Sequence, residues 1–563
     1  MCTNAANCGT LTPLHTASGA AATYTPPQAI SGNSQNVTIE AFATADHTKN
    51  VVTSMAVTGF ASSLKGTYVF ETKGEDANGA FQLAGVVVLD GNGGITSGEQ
   101  THSDPVVSLS DPITGGSYNI GPDGRGTLTI NTADQNIGQQ GIENFCLVFL
   151  NSSSALIATL DNPDPKLQRS FETSSGTLDL QTSTAAPSGG YAFAANGVDV
   201  NNAAMAIAGV LNIDSPNTIS GAGSVADQDD AGSVSPNASL SGTLTSPDRL
   251  GSLQLNLTTG FAPSLQFTGY IVDATHIKLI ESDMTGTGAG FGSTAGVAIG
   301  QGAATGKFTH DSTFAGSYVL GILGQDPSGT PNSLAWASRF TADTSGNLKS
   351  GYADEVLSVS GVEISDSFTG TYTLGPPGTG RVDSHINFSS NGPGPELIFY
   401  LTGNGNPPLV LDADDNGGSL AFASLGIGTA HPQAAPPFSF NGKYGLEFTQ
   451  SSSVSENNAT GQVTVNGSSN TLAGVVDTNL GFSPQPDTPL SGTFLNIPNG
   501  GHFNGTLTNT FFPTPASSAN TISVAFYLVD PGQVLFIETD LLLSGEASFG
   551  SFSARTPVCA GCP

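Results

Sequence analysis

Along most of the chain, apolar and small polar residues alternate in short runs, as in Tyr68-Val69-Phe70 and Thr127-Leu128-Thr129-Ile130. A period of two places alternate side chains on opposite faces and predicts half-buried strands. Asp-Gly, Asn-Gly and Ser-Gly steps separate the runs and supply the positive φ that tight hairpins need. Outside the turns, no segment sustains a capped 3.6-residue pattern, so the prediction is all-β.

The pattern repeats. A Gly-x-Tyr or Gly-Tyr step opens four segments, at Tyr68, Tyr191, Tyr318 and Tyr444, which are 123, 127 and 126 residues apart. Four further landmarks share the period. An apolar strand with a glycine turn follows, as in Leu83–Asp90 and Ile207–Asp214, and a glycine comes after each turn at Gly98, Gly221, Gly351 and Gly474. A hairpin comes next: Gly116 to Ile130, Gly242 to Leu257, Gly370 to Ile386, Gly492 to Leu507. Then two strongly apolar strands end in an acid, at Asp161, Asp283, Asp414 and Asp540. A short closing strand of small residues completes the unit, as in Ser175–Leu178 and Gly418–Ala421.

Each copy thus reads as about eight short strands, joined by turns short enough to favour an antiparallel meander. Eight such strands can close into a barrel, which removes both exposed edges. A two-sheet sandwich is the alternative, and strand count does not separate the two. The expected organisation is an N-terminal segment over 1–61, four β repeats over 62–185, 186–307, 308–434 and 435–556, and a tail over 557–563. About 125 residues can bury a core of their own. The strand openings are similar to those of small calycin-type barrels.

Composition narrows the function classes. Lys and Arg number 14 against 45 acids, a formal charge of −31, which excludes a nucleic-acid binder because phosphates demand a basic face. The same sign disfavours anionic membrane surfaces. Only 10% of residues are charged while Gly reaches 72, and a surface of Ser, Thr and Asn on β repeats points to an extracellular or cell-surface protein. Its solubility would come from the acids. No apolar run approaches the ~20 residues of a membrane-spanning helix, and Met1-Cys2-Thr3-Asn4 carries neither the basic nor the apolar region of a signal peptide.

Residues 2 to about 60 resemble the later half of a bacterial Ig-like domain. The matching residues are Cys2, Cys8, Gly9–Pro13, Ala17-Ser18-Gly19, Thr23–Pro27, Asn36–Ala41 and Val51–Val57. The chain as a whole resembles large secreted bacterial surface proteins that carry such domains before β repeats. The resemblance implies that the first strands of the Ig-like domain lie upstream, so that this chain is part of a longer one or its start is misplaced. It also implies a disulfide between Cys2 and Cys8, which suits an oxidising compartment. Cys146, inside an apolar strand, is expected to be a buried small hydrophobe. Cys559 and Cys562 lack the second pair of a structural zinc site and the following helix of a redox motif, which leaves a local disulfide or two exposed thiols.

Several apparent motifs reduce to turns. Gly375–Gly380 begins like a phosphate-binding loop, but Arg381-Val382 stand where Lys and Ser or Thr are needed. Copy one has Gly121–Gly126 at the same place, so both are hairpin turns. Gly286–Gly292 leads into a strand, not into the helix N-terminus a dinucleotide requires. Asp90–Gly94 and Asp227–Asp230 offer oxygens for calcium, yet neither has the spacing of a calcium-binding loop and other copies replace the first freely. There is no Gly-x-Ser-x-Gly elbow, and the eight histidines form no recurrent pair; His276 and His385 fall on strands. The acids recurring at Asp161, Asp283, Asp414 and Asp540 are expected to cap a strand pair in each copy, and Trp336, the only tryptophan, to sit in a core.

These readings define a non-enzymatic secreted or surface protein with no catalytic, cofactor or metal residues assigned. Four barrels in a row would form a spacer or adhesin-like stalk meeting extracellular polysaccharide or surface proteins. The alternatives are a small-ligand or carbohydrate site inside a barrel and a hydrolase in one divergent copy, since a pair of glycosidic carboxylates is spaced in three dimensions, not in sequence. For the spacer, Tyr68, Phe70, Val86, Val88, Leu128 and Ile130 are expected to fill the interior of their barrel.

Overall fold

A computed structural model describes residues 10–17, 19–25, 34–58, 64–121, 123–135, 137–138, 140–161, 172–260, 265–283, 292–326, 332–358, 363–390, 392–414, 424–452, 456–510, 512, 520–540 and 546–556. The architecture is all-β, with four closed eight-stranded antiparallel meanders in tandem. Barrel 1 runs from the strand Lys65–Asp76 to Glu172–Leu180, barrel 2 from Gly189–Val198 to Ser293–Gly300, barrel 3 from Gly316–Asp326 to Leu425–Pro432, and barrel 4 from Gly442–Ser452 to Glu546–Ala554. In each, the eighth strand pairs with the first and abolishes both edges. Ahead of the barrels lie two two-stranded ribbons, Thr10–Thr12 with Thr23–Thr25 and Ser34–Ala43 with Asp46–Thr58. Val51, Val52 and Phe42 of the longer ribbon are exposed. Cys2, Cys8, Cys559 and Cys562 lie outside the described residues. Among the described residues no helix is long and apolar enough to cross a membrane.

Among the described residues, each barrel holds its own apolar core. Tyr68, Phe70, Leu128 and Ile130 fill barrel 1 as expected, together with Phe81, Phe145 and Phe149. Trp336 is 2% exposed inside barrel 3, where its indole N–H donates to Ser338 Oγ at 3.0 Å. Val86 and Val88 correct the sequence reading, because they point out of barrel 1. Val86 belongs to an apolar cluster shared with barrel 2, and Val88 packs against it. The inward residues of that strand are Leu83, Val87 and Leu89. The run Leu83–Leu89 is apolar on both faces, so alternation could not say which face was inside. The closing strand of copy three is likewise Leu425–Pro432; Gly418–Ala421, assigned to it from the sequence, lies outside the described residues.

The outward apolar faces exist because the barrels form a closed ring in the order 1–2–3–4–1. Barrels 1 and 2 share Val69, Ala84 and Val86 with Tyr270, Val272 and Ile280. Barrels 2 and 3 share Ala194, Ala206 and Ala208 with Ile398, Tyr400 and Leu411. Barrels 3 and 4 share Val319, Ala335 and Ala337 with Ala525, Tyr527 and Ile537. Small residues on one face let the larger ones of the next barrel approach closely. Head-to-tail interfaces of this kind close into a ring when their rotation permits.

Three polar devices recur around the ring. The residue after the eighth strand reaches two backbone carbonyls of the following barrel. Gln181 Nε2 donates to Leu250 O and Ile271 O at 2.8 and 2.7 Å. Gln301 Nε2 donates to Thr379 O and Leu401 O at 2.7 and 2.9 Å, and Gln433 Nε2 to Gly500 O and Leu528 O at 3.2 and 2.9 Å. After barrel 4 the same position is Arg555, which donates to Phe149 O at 2.9 Å and to Asp123 O of barrel 1. The second device is a sixth-strand tyrosine facing the third strand of the preceding barrel: Tyr270 on Thr101, Tyr400 on Asp227, Tyr527 on Asp354. The third is a cationic or imidazole group at the start of the fifth strand. Arg381 grips Asp227 through Nε and Nη2, both at 2.8 Å, and His502 Nε2 lies 3.0 Å from Asp354. At the closing interface Arg125 takes this place, 3.3 Å from Asp477 and 2.6 Å from Asp487.

Candidate functional site

A ring of four barrels leaves a space on its axis. The first and eighth strands of every barrel, with the second strands of barrels 1, 2 and 4, line a half-open cavity of 470 Å³ on this axis. A glycine recurs on the eighth strand at Gly176, Gly296, Gly428 and Gly550, opposite Thr72, Ala195, Ile322 and Phe448 of the first. A Cβ at Gly176 would stand 1.9 Å from Glu71 O, and one at Gly296 1.8 Å from Ala194 O. These glycines share a face with the core residues Ala195, Ile322 and Phe448, so they make room inside the barrel, and the outward side chains on either side of them decide the chemistry of the cavity.

Those side chains differ between the two halves of the ring. Five residues after the opening tyrosine the wall carries Lys73, Asn196, Leu323 and Thr449 in barrels 1 to 4, and seven after it in barrels 2 to 4 it carries Val198, Gln325 and Ser451. Barrels 2 and 3 make an apolar half from Val198, Val297, Leu323, Leu425 and Ile427. Barrels 1 and 4 make a charged half from Glu71, Lys73, Glu447 and Glu456.

In the charged half, Lys73 Nζ lies 3.8 Å from Glu71 Oε1 and donates to Ala295 O at 2.5 Å and Asn196 Oδ1 at 3.2 Å. Lys278, reaching in from barrel 2, donates to Thr177 and pairs with Asp179 at 2.8 Å. Burial pushes the Glu71 carboxyl up and the Lys73 ammonium down. Burial also pushes Glu447 up to about 7, partly offset by Lys278, and Glu456 up to about 8, partly offset by a hydrogen bond from Asn458. These acids carry their charge reluctantly because protein replaces much of the water around them. Their surroundings favour taking up either a proton or a positively charged partner.

A second set of buried acids lies inside the barrel ends. Glu143 Oε2 accepts from Gln100 Nε2 at 2.9 Å, and Glu281 Oε2 from Thr294 Oγ1 at 2.6 Å. Burial pushes both carboxyls up to about 8. The recurrent strand-closing acids act as caps: Asp161 Oδ1 accepts from Asn144 N at 3.0 Å and Asp540 Oδ2 from Ser523 N at 2.5 Å. Cys146 is fully buried with its thiol 3.2 Å from Thr460 Oγ1 of barrel 4, and burial pushes it up to about 12, so it is inert. Asp383, His385 and Glu396 bring ligand-type atoms within 4.8 Å of one another on the outside of barrel 3, where Arg381 already pairs with Asp383 at 3.1 Å.

Sequence reasoning did not find Glu71, Lys73, Glu447 or Glu456, nor Arg125, Arg381 and the residues after each eighth strand. One available signal was that strands such as Leu83–Leu89 and Val524–Val529 are apolar on both faces, as strands covered on both sides are. The other was the arginine at the same turn in copies one and three.

No protein-family model matches the chain, and no curated protein matches it. Among solved structures it is similar to transferrin binding protein B. A tryptophan-to-alanine mutant of that protein from Haemophilus parasuis Hp5 is 9% identical, with 72% of this chain and 84% of that one covered, at a TM-score of 0.19. The isotype 1 protein from serogroup B Neisseria meningitidis is 8% identical over 72% and 85%, TM-score 0.19. Intact Ap-TbpB, with N and C lobes, is 10% identical over 87% and 95%, TM-score 0.19. At these scores the likeness bears neither on the ring nor on a ligand.

Proposed function

We propose that this chain is a non-enzymatic extracellular binding protein whose ligand site is the axial chamber, not the inside of any barrel. One contrast carries the reading. Among the described residues the barrel interiors are lined by apolar side chains packed on one another, with about 10 Å³ left inside barrel 4, while the chamber offers 470 Å³. That volume falls in the ~300–1,000 Å³ range of small-molecule sites, which combine an apolar wall with a few convergent polar groups. The extracellular placement rests on composition, with few Lys and Arg and abundant Gly, Ser, Thr and Asn.

Ring closure changes the spacer reading. A stalk needs its first and last repeats far apart, whereas Arg555 at the end of barrel 4 bonds to Phe149 of barrel 1. The array is a compact head, and any bound polysaccharide or surface protein would meet a ring instead of a rod. The test is a thermal-shift screen of small molecules against the intact chain and a chamber-filling Leu323→Trp variant. Hits that stabilise the parent and lose their effect in the variant are expected. Hits that persist in the variant overturn the reading, as does glycoside turnover abolished by Glu447→Gln.

A further inference from the structure

We propose that the chamber selects an organic cation: an aliphatic ammonium compound whose nitrogen lies among the carboxylates of barrels 1 and 4 and whose hydrocarbon lies on the wall of barrels 2 and 3. The inference rests on the chamber being the ligand site and adds the class of ligand.

The charge inventory comes first. Among the described residues, three acids line the chamber, Glu71, Glu447 and Glu456, against one lining cation, Lys73. Lys73 is spent on Glu71 and is tethered to Ala295 O and Asn196. Glu447 faces Glu71 and Lys278, but the Lys278 ammonium is held by Asp179 and Thr177. Glu456 faces Glu75 and accepts from Asn458 Nδ2 at 2.8 Å, with no cation beside it among the described residues. Among the described residues, two carboxyls therefore lack a dedicated counter-charge in a pocket walled largely by protein. Removing a charge from water without a partner is costly, and a partner of opposite sign repays that cost only at close range.

Shape and wall chemistry then decide the kind of cation. A metal ion needs several ligand atoms in its first shell, and the one such grouping among the described residues is on the outside of barrel 3. A chamber of 470 Å³ faced on one side by Leu323, Leu425 and Ile427 suits a hydrocarbon body instead. A cation beside Glu447 and Glu456 would favour their ionised forms. Binding should therefore release protons and tighten as pH rises from 6 to 8.5, through the values to which burial has pushed the two groups.

The experiment is isothermal titration calorimetry of the full chain with hexylamine, 1-hexanol and hexanoate at 150 mM salt, in two buffers of different ionisation enthalpy. Expected for hexylamine are one site per chain, proton release, and an affinity at least 10-fold higher at pH 8.5 than at pH 6. Glu447→Gln and Glu456→Gln should each weaken binding at least 10-fold and flatten the pH dependence. Both variants should melt no lower than the parent, since each removes a poorly solvated acid. Leu323→Trp should abolish binding. Hexylamine binding with many sites per chain, or unchanged in Leu323→Trp, is adsorption to an acidic surface and overturns the proposal. If hexanol or hexanoate binds the chamber more tightly than the amine, the cation assignment falls and the chamber survives. If none of the three binds and the broader screen is also empty, the chamber reading itself falls.

Discussion

The interfaces between consecutive barrels and the interface that closes the ring use the same positions with different chemistry. Barrels 1–2, 2–3 and 3–4 are each joined by a linker and share an apolar cluster. Barrels 4 and 1 share no linker, and none of the apolar clusters among the described residues spans them. There the glutamine of the other three linkers becomes Arg555, the sixth-strand tyrosine becomes Val148, and Arg125 binds Asp123, Asp477 and Asp487. Asn479 Nδ2 adds bonds to Thr159 O and Glu172 O, and Asn458 Nδ2 one to Thr173 Oγ1. A linker holds two faces at high effective concentration, so a modest apolar contact suffices between neighbours. The seam has no nearest-neighbour linker, and it relies on directional, charge-assisted bonds that fix register.

The largest effect should come from breaking a linked interface. Asp227 is fully buried and holds both Arg381 and the Tyr400 hydroxyl. Asp227→Ala removes the partner of Arg381 Nε and Nη2 and of the Tyr400 hydroxyl, leaves the buried guanidinium only Asp383 at Nη1, and should cost about 3–5 kcal/mol by chemical denaturation. Asp477→Ala at the seam leaves Arg125 with Asp123 and Asp487 and should cost about 1–2 kcal/mol. Equal losses at the two sites would remove the distinction.

Next is opening of the ring. Combining Arg125→Ala with Arg555→Ala should raise the radius of gyration in small-angle scattering while far-UV circular dichroism stays unchanged. It should also expose Cys146, buried at the seam, to alkylation read by mass spectrometry of its peptide. Arg125→Ala with Arg555→Gln, which installs the residue used after the other three barrels, should stay closed and leave Cys146 unlabelled. An alkylated Cys146 in the parent protein would show that the seam is open without any substitution.

The pH response should separate the seam from the barrel ends. Burial raises Glu143 and Glu281 to about 8, Asp283 to about 7 and Asp161 to about 6. Between the unfolded values near ~4 and these raised ones, the native state binds more protons than the unfolded state. Stability should therefore fall as pH rises from about 5 to 8.5. The melting temperature should drop over that range while Cys146 stays protected, because arginine remains charged throughout. A melting temperature that rises with pH would contradict the buried-acid account. The smallest effect should be that of Cys146→Val, which removes weak thiol contacts to Thr460 Oγ1 and Ala158 O and should cost under about 1 kcal/mol in denaturant.

What the sequence determined by itself is local and repeated. Alternation, glycine turns and the four Tyr openings specified strands, their meander order and the number of repeats, because period two and turn geometry are written in neighbouring residues. Tyr68, Phe70, Leu128, Ile130 and Trp336 were legible as core, and Asp161 and Asp540 as caps, since each acts within one copy. The choice of barrel over sandwich needed the pairing of the eighth strand with the first. Tertiary structure alone decided that Val86 faces a neighbouring barrel, that Arg381 meets Asp227 across 154 residues and that Arg125 meets Asp477 across 352. It also decided that Glu71, Glu447 and Glu456 share one chamber. A barrel's exterior reads the same whether it meets water or another barrel, unless both faces of a strand are apolar. Which exteriors meet is settled by complementarity between distant surfaces, for which single strands carry no pattern.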